Sequence, residues 1–334
     1  MKTSRRGRLW VLLGTLALVS VVALVAAGCG SSSPSSTASS TPPIGSASSA
    51  ATVTVAGVAI KADPALHQLL PASILSAGQI RIATDIPCPP WEMFVGDTTT
   101  ATGFEIDLFK AMCAELGVRA AFLNMSWASC LLSLQGGKGD MVMGDMTDTI
   151  EREKVFTFVD YALDADSILV AKGNPQGITN LDSLAGKIVA VLSASSEQAT
   201  LASLNAKFKA SGKEQMQIIS LPSAPACLLA IESGRAVAEL ANHTTSVYSA
   251  KTTNGGNTFE VLIDPAAPEG YTPLPVATAI LKTNTQLVTA VQKAIQELMN
   301  NGVYTALANK YGVLAVKSAQ INAAGQAASA SPTP

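Results

Sequence analysis

Apolar residues recur along this chain in short runs that alternate with stretches of helical spacing. Residues 80–83, 167–171 and 187–192 form compact apolar runs typical of buried strands, whereas the apolar positions of 108–116 and 284–300 recur every three or four residues, as in amphipathic helices. This alternation predicts an α/β fold with mainly parallel sheets. In such folds, ligands bind beyond the carboxyl ends of the strands.

The first 28 residues follow a different pattern. Four basic residues precede the uncharged and mostly aliphatic stretch 9–27, and small residues then lead to Cys29. The pattern is typical of a lipoprotein signal peptide at 1–28 with Cys29 as the lipidated residue. An uncleaved membrane anchor is the alternative, because the stretch is just long enough to span a bilayer. We favour the lipoprotein, since a spanning helix does not need a cysteine after small residues.

Two further segments are too polar and too simple in composition to build a core. Residues 29–51 consist almost entirely of Ser, Thr, Ala, Pro and Gly and carry no charge, which predicts a flexible tether. Residues 318–334 are predicted to form a disordered tail. The folded part is therefore expected at about 52–317.

Composition and charge exclude several classes of function. The 48% hydrophobic content excludes a chain that is disordered throughout, and the formal net charge of −2 falls to −6 without residues 1–28, which hold four basic and no acidic residues. A nucleic-acid partner is therefore not expected. The two histidines, His67 and His243, lie far apart, so we predict no metal site, and no motif predicts a cofactor.

Two polar clusters could bind an anion. Ser195 and Gln198 have capping-box spacing after the strand 187–192, and the free N–H groups of a helix N-terminus favour an anion such as a carboxylate. Residues 144–152 place hydroxyl and carboxylate groups ahead of Arg152, whose guanidinium can hold a carboxylate through two parallel hydrogen bonds. Each cluster alone also fits a plain cap or a solvated turn with a surface ion pair.

A series of short motifs runs through the whole predicted folded part. They are 80–85 (IRIATD), 89–92 (PPWE), 103–108 (GFEIDL), 134–140 (LQGGKGD), 149–152 (TIER) and 181–187 (LDSLAGK). In this order they resemble the extracellular solute-binding proteins of family 3, which serve ABC importers for polar amino acids. One such motif would be weak, but the ordered series is specific.

The resemblance implies a two-lobed periplasmic-binding-protein fold of type II, with two mixed, mainly parallel sheets joined by a two-segment hinge. On this pattern, 52–78 is an N-terminal extension, 79–166 and 276–317 form lobe 1, 167–264 forms lobe 2, and 265–275 is the return through the hinge. The ligand would lie between the lobes. Contacts made only in the closed form would shift the population toward closure.

The resemblance also assigns roles to single residues. Arg152 would hold the ligand α-carboxylate, Thr147 would contact it alongside, and Ser195 would clamp it from lobe 2. Trp127 would form an aromatic wall over the ligand side chain. Asp85 could receive an ammonium group or act as a structural cap. By contrast, Trp91 is expected in the core and Asp140 in a turn.

Two departures from the family pattern concern specificity. Asn242 falls where the family has the lobe 2 acid for the α-ammonium, and an amide supplies no negative charge. Asp145, where the family usually has a small residue, could supply that charge from lobe 1. The ligand could thus be an amino acid bound with altered geometry, or a carboxylate without the amine. Cys88 stands where the family often has an aromatic residue facing the ligand.

Four cysteines remain besides Cys29 in a setting expected to be oxidising, and they allow three pairings. Cys113 and Cys227 lie among apolar residues in predicted helices and are expected to be buried. In the family fold, the loops of Cys88 and Cys130 both lie at the rim of the cleft. On that ground we predict a disulfide between Cys88 and Cys130.

We therefore predict a monomeric, lipid-anchored binding subunit that captures an amino acid or related small carboxylate outside the cell membrane. It would deliver the ligand to an ABC permease with its ATPase subunit. A cleft enzyme of the cyclohexadienyl dehydratase type is the alternative, with Glu239 or Asp145 as proton donor. A sensor ectodomain is a third possibility, although nothing after Gly312 resembles a membrane span or a signalling module.

Overall fold

The computed structural model describes residues 53–324, apart from 56, 97, 98 and 269. The predicted signal peptide, the lipidation site Cys29, the tether and residues 325–334 lie outside the described residues. Among the described helices, none has the length and apolar character needed to cross a bilayer.

Helices and strands alternate along most of the described chain. The α-helices are α1 Pro64–His67, α2 Ala72–Ala77, α3 Phe104–Glu115, α4 Trp127–Gln135, α5 Ile150–Glu153, α6 Ser196–Ala210, α7 Ala224–Glu232, α8 His243–Thr252, α9 Thr285–Asn300 and α10 Val303–Tyr311, and short 3-10 helices cover Leu181–Leu184 and Thr253–Gly256. The strands are β1 Val53–Val55, β2 Val58–Ile60, β3 Gln79–Thr84, β4 Met93–Phe94, β5 Ala101–Thr102, β6 Arg119–Asn124, β7 Met141–Val142, β8 Phe156–Ala171, β9 Ile188–Leu192, β10 Gln217–Leu221, β11 Ala238–Asn242, β12 Phe259–Val261, β13 Tyr271–Leu281 and β14 Leu314–Ile321. The five elements predicted from apolar periodicity are all present.

The main sheet has the order β10-β9-β11-β8-β13-β7-β3-β6, with β12 and β14 also paired to β8. Its outer pairs, such as β3 with β6 and β9 with β10, are parallel, whereas β8 and β13 are antiparallel to each other. We call the side built on β3, β6 and β7 lobe 1 and the side built on β9, β10 and β11 lobe 2. The fold is thus the predicted two-lobed α/β architecture, but one main sheet continues through both lobes where two sheets were predicted, because β8 pairs with strands of each lobe.

Strand β8 belongs to both lobes. Residues from Phe156 to Asp166 pair with β13 on the lobe 1 side, and Asp166 to Val170 pair with β11 on the lobe 2 side. The chain thus crosses between lobes while it stays hydrogen-bonded. The residue limits given above for each lobe remain a prediction.

Each lobe has its own hydrophobic core. In lobe 1, Trp91 is fully buried with its ring edge-on to Phe104 at 5.6 Å between centroids, which confirms its core position. Helix α9 packs Val291 and Ile295 into the same core. Lobe 2 has a separate cluster around Val189, Val191, Leu201 and Phe208. Two independent cores allow the lobes to move as units.

The carboxyl-terminal part extends further than predicted. Helix α10 follows α9, and β14 continues through Ile321, which pairs with Val159 of β8. The N–H of Ala323 then donates to Asp160 Oδ2 at 3.1 Å. The prediction of disorder from residue 318 is therefore wrong for 318–324, because these residues add hydrogen bonds to β8.

Candidate functional site

A polar cavity of about 50 Å³ lies in the cleft between the lobes. Lobe 1 contributes loop residues that follow β3 and β7, the first residue of α4 and Arg152 of α5. Lobe 2 contributes the ends of β9 and β11 with the starts of α6, α7 and α8. The lining residues are Cys88, Trp127, Gly144, Asp145, Thr147, Arg152, Leu192, Ser195, Ser196, Glu197, Ala224, Glu239, Leu240, Ala241, Asn242 and Thr245. The strand ends thus converge where the α/β pattern predicted a ligand. Seven of the eight predicted ligand residues lie at this cavity, and Asp85 does not.

Arg152 lies at the lobe 1 side of the cavity. Its short helix begins with Thr149 as N-cap, whose Oγ1 accepts the Arg152 N–H at 3.2 Å. The guanidinium donates to the Thr147 carbonyl at 2.7 Å and to the Ala194 carbonyl of lobe 2 at 3.4 Å. Its Cζ lies 6.0 Å from the centroid of the Trp127 ring. These contacts hold the side chain over the cavity.

No carboxylate among the described residues lies within ion-pair distance of Arg152, and Glu151 instead contacts Lys154 at 2.6 Å. A surface ion pair with Asp148 or Glu151, the alternative considered for this arginine, is therefore absent. Burial lowers the pKa of Arg152, against the raising influence of Glu197 and Asp148. A guanidinium held only by carbonyls has N–H groups left for a bound carboxylate.

The N-terminus of α6 faces Arg152 from lobe 2. Ser195 is its N-cap and accepts the Gln198 N–H at 3.2 Å, while Gln198 Oε1 accepts the Ala194 N–H at 2.7 Å. The first hydrogen bond of a capping box is thus present, although the Gln198 side chain accepts the N–H of Ala194 and not that of Ser195. Ser196 Oγ donates to Thr147 Oγ1 at 3.1 Å across the cleft. The helix terminus and Arg152 together form a site suited to an anion.

Asp145 also lines the cavity, where it is buried and has a positive φ of 49° directly after Gly144. Thr245 Oγ1 donates to its Oδ2 at 3.1 Å, and Asn242 Nδ2 donates to its carbonyl at 3.3 Å. The other carboxylate oxygen, Oδ1, has no hydrogen-bond partner among the described residues. Burial, together with the nearby Asp164 and Glu105, raises the pKa of Asp145 well above its ordinary value. A ligand ammonium next to this oxygen would favour the ionised carboxylate and could donate a hydrogen bond to it.

A layer of buried carboxyl groups lies directly behind Asp145. The Asp145 N–H donates to Glu105 at 3.1 Å, and Tyr161 Oη donates to Glu105 Oε1 at 2.5 Å. Glu92 is fully buried beside them, and burial followed by the charge of Glu105 raises the pKa of Glu92. Burial also raises the pKa of Glu105. Burial of two neighbouring carboxyl groups disfavours the state in which both are ionised at once.

Several residues at the cavity were not identified from the sequence. Ser196 and Glu197 come directly after the predicted Ser195, and both line the cavity. Thr245, three residues after Asn242, donates its hydroxyl hydrogen bond to Asp145. Nearness in sequence to a predicted residue was the available signal, but it does not tell which neighbour faces the cleft.

Two predicted polar residues have structural partners. Asp85 Oδ2 accepts the N–H of Trp127 at 3.0 Å and so caps α4. It takes the cap role, the second of its two predicted roles. Asp140 forms an ion pair with Arg81 at 2.7 Å, as expected for a turn residue outside the site.

The predicted disulfide between Cys88 and Cys130 is absent, and both are free thiols. Cys130 does not lie in a loop but within α4, where it is buried and its Sγ donates to the Ser126 carbonyl at 3.6 Å. Cys88 Sγ lies instead 3.7 Å from Thr245 Oγ1. Cys113 and Cys227 are buried, as predicted. Among the described residues, no His, Cys, Asp or Glu group has a metal-binding arrangement.

Comparison with known protein families gives one match that covers most of the chain. The model of the bacterial extracellular solute-binding proteins, family 3, matches residues 80–313. The match includes both lobes and every residue of the polar cavity.

Curated relatives are binding proteins with named amino-acid ligands. The L-cystine-binding protein TcyJ of Escherichia coli (strain K12) is 27% identical over 260 residues, which is 77% of this chain and 90% of that protein. The lysine/arginine/ornithine-binding periplasmic protein of the same organism is 27% identical over 235 residues, 70% of this chain and 86% of the relative. The arginine-binding protein ArgT of Corynebacterium glutamicum is 27% identical over 253 residues, 75% and 79% of the two chains.

Solved structures agree with this grouping. An ancestral arginine-binding protein bound to arginine is 27% identical with a TM-score of 0.62, over 70% of this chain and 98% of that one. The ancestral amino acid-binding protein AncCDT-1, a precursor of cyclohexadienyl dehydratase, is 27% identical with a TM-score of 0.60, over 72% and 97% of the two chains.

Proposed function

Because the chain belongs to the bacterial extracellular solute-binding proteins of family 3, we propose that it captures an α-amino acid between its lobes for an ABC importer. The observation that carries this proposal is that one cavity is lined by Arg152 and the α6 N-terminus and also by the buried Asp145. Arg152 and the α6 N-terminus suit a carboxylate, and Asp145 suits an ammonium group. The two charged ends of an α-amino acid match this arrangement.

Contacts across the cleft support closure around the ligand. Arg152 reaches Ala194, Ser196 reaches Thr147, and Thr245 reaches Asp145, so each of these bonds joins one lobe to the other. A ligand that bridges the same groups stabilises the closed form in proportion to its differential affinity. Closure would then change the surface that the permease meets.

The lipid anchor and the importer partner extend this proposal. A lipidated Cys29 followed by an uncharged tether would hold the binding protein near the permease, and about 25 residues of such a tether reach roughly 25–30 Å. We propose that the chain acts as a monomer there, on the outer face of the membrane. It would pass its ligand to a permease driven by an ATPase subunit.

A ligand screen on the whole chain tests the proposal. Melting scans and isothermal titration would compare α-amino acids with matched compounds that lack either the amine or the carboxylate. We expect binding only when both groups are present, and a ligand at 100 times its Kd should raise the free energy of unfolding by about 2.7 kcal/mol. Binding of carboxylates without an amine at equal strength would contradict the amino-acid assignment.

An enzymatic role is a second candidate, favoured by one observation. Glu239 lines the cavity, and burial raises the pKa of its carboxyl to about 8. A carboxyl that remains protonated at neutral pH can act as a general acid. Incubation of the purified chain with prephenate or arogenate tests this role. Turnover that is lost in Glu239→Gln would establish it, whereas amino-acid binding without turnover would refute it.

A further inference from the structure

A second cavity adjoins the polar one. Its volume is about 130 Å³, more than twice that of the polar cavity. Most of its wall is apolar and comes from the loop after β3, from β8 and from α7. These residues are Pro87, Pro89, Leu169, Ala224, Pro225 and Leu228.

The two cavities are neighbours within one cleft. Ala224, Glu239, Ala241 and Thr245 line both of them. Thr245 also donates to Asp145, which lies at the ammonium end of the polar cavity. A ligand held at Arg152 and Asp145 therefore has the second cavity within reach of its side chain.

The second cavity offers a charged side chain only weak charge compensation. Among the described residues that line it, Glu239 is the one ionisable group, and the remaining polar groups are hydroxyls of Thr245, Ser246 and Ser249. Burial raises the pKa of Glu239 to about 8, so its carboxyl is mostly protonated at pH 7. An ammonium or guanidinium group placed here would lose its hydration without gaining a full counter-charge.

Asp85, a candidate partner for an ammonium group, does not line the second cavity. Its carboxylate accepts the N–H of Trp127 at the start of α4, and Asp85 does not line the polar cavity either. An apolar side chain directed into the second cavity, by contrast, leaves water for an apolar wall. Each buried methylene then raises affinity about fourfold.

We propose that the second cavity is the side-chain subsite of this binding protein and selects amino acids with a large apolar side chain, from leucine to phenylalanine in size. A cavity of comparable volume with an apolar lining holds benzene, which is the ring of phenylalanine. The inference rests on the proposed capture of an α-amino acid. It assigns that ligand a class different from the cationic amino acids named for several relatives.

The test is a set of dissociation constants at pH 7 for the whole chain with leucine, phenylalanine, alanine and arginine. We expect leucine and phenylalanine to bind at least tenfold more tightly than alanine or arginine. Ser249→Leu fills the second cavity from α8, so it should weaken leucine and phenylalanine at least tenfold and alanine less than twofold. Ser203→Leu is the matched control, because Ser203 is exposed on α6 and lines neither cavity.

A second variant tests the subsite independently if Ser249→Leu fails to fold. Leu228→Ala removes part of the apolar wall, so it should weaken leucine and phenylalanine at least threefold and leave alanine unchanged. Tighter binding of arginine than of leucine, or an equal loss for all ligands in both variants, would overturn the subsite while amino-acid capture stands. Failure to bind any α-amino acid would overturn the proposed function and the subsite together.

Discussion

Arg152 is the residue on which the binding proposal depends most. Replacing Arg152 with Ala removes the charged donors proposed for the ligand carboxylate and the contact with Ala194 of lobe 2. Loss of one partner of a buried, hydrogen-bonded charge pair costs about 2–5 kcal/mol, so we expect affinity to fall at least about 30-fold. The melting temperature without ligand should change little, since the guanidinium packs against carbonyls and not in a core. Titration calorimetry and a melting scan measure the two effects.

Arg235→Ala is the matched control for this change. Arg235 is exposed and lies outside the residues that line the cavity. The Arg235→Ala variant loses the same charge as Arg152→Ala, and its affinity for the ligand should stay within a factor of two of the wild type. Equal losses in both variants would mean that net charge, and not the Arg152 contact, determines binding.

At the residue scale, sequence predicted a position at the cavity where a motif fixes both the place and the direction of a side chain. Arg152 and Ser195 lie at the cavity, since a helix start determines where their groups point. Asp85 and Cys130 show the limit. Their positions along the chain were suitable, but one side chain turns to cap α4 and the other is buried within α4. Such orientations depend on packing between segments far apart in sequence.

At the scale of elements, the start of α6 combines a helix cap with a proposed role in ligand binding, and mutation can separate the two. Ser195→Ala removes a cap, which costs about 1 kcal/mol of stability, and it also removes a hydroxyl at the cavity. Asn284→Ala removes the cap of α9, where Asn284 Oδ1 accepts the Leu287 N–H at 3.4 Å. Both variants should lose similar stability, but only Ser195→Ala should weaken ligand binding, by about three- to tenfold.

Denaturant titration and ligand titration of the same two variants provide the measurement. If Asn284→Ala weakens binding as much as Ser195→Ala does, then loss of stability explains the effect. The direct role proposed for the α6 terminus would be wrong in that case.

Elements with a strong apolar period were predictable, and β14 was not. In β14, Ala319 is the one buried position, and its pairing with β8 contains a register shift. A strand of this kind is stabilised by a partner about 150 residues away in the chain, which local periodicity cannot reveal. Local periodicity also cannot reveal that β8 continues through both lobes, because the pattern of a strand does not identify the strands that pair with it.

At the scale of the whole molecule, buried carboxyl groups predict an unusual dependence of stability on pH. Burial raises the pKa of Asp164 to about 7 and of Asp166 and Glu239 to about 8, whereas unfolded carboxyls titrate near pH 4. Between these values the folded chain holds more protons than the unfolded chain, so the free energy of unfolding falls as pH rises from about 4 to 8. We expect the melting temperature to be higher at pH 5.5 than at pH 8.5, by at least about 5 °C.

Melting scans across that range, with and without Glu239→Gln, provide the test. The amide cannot ionise, so this variant should show a shallower fall of melting temperature with pH. Glu232→Gln, which removes an exposed carboxyl from α7, should follow the wild-type curve. A wild-type melting temperature that rises from pH 5.5 to 8.5 would contradict the prediction.

The shared strand β8 has a mechanical consequence. Its 16 residues extend about 50 Å, and they pair first with β13 and then with β11. Register shifts in β13 between Tyr271 and Leu274 and between Val276 and Ala277 interrupt the ladder near the middle of β8. A hydrogen-bonded ribbon of this kind resists twisting, and it is most compliant where its ladder is interrupted. We therefore expect the paired strands to oppose rotation of one lobe against the other with an elastic restoring torque. The deformation itself should be concentrated at these two register shifts.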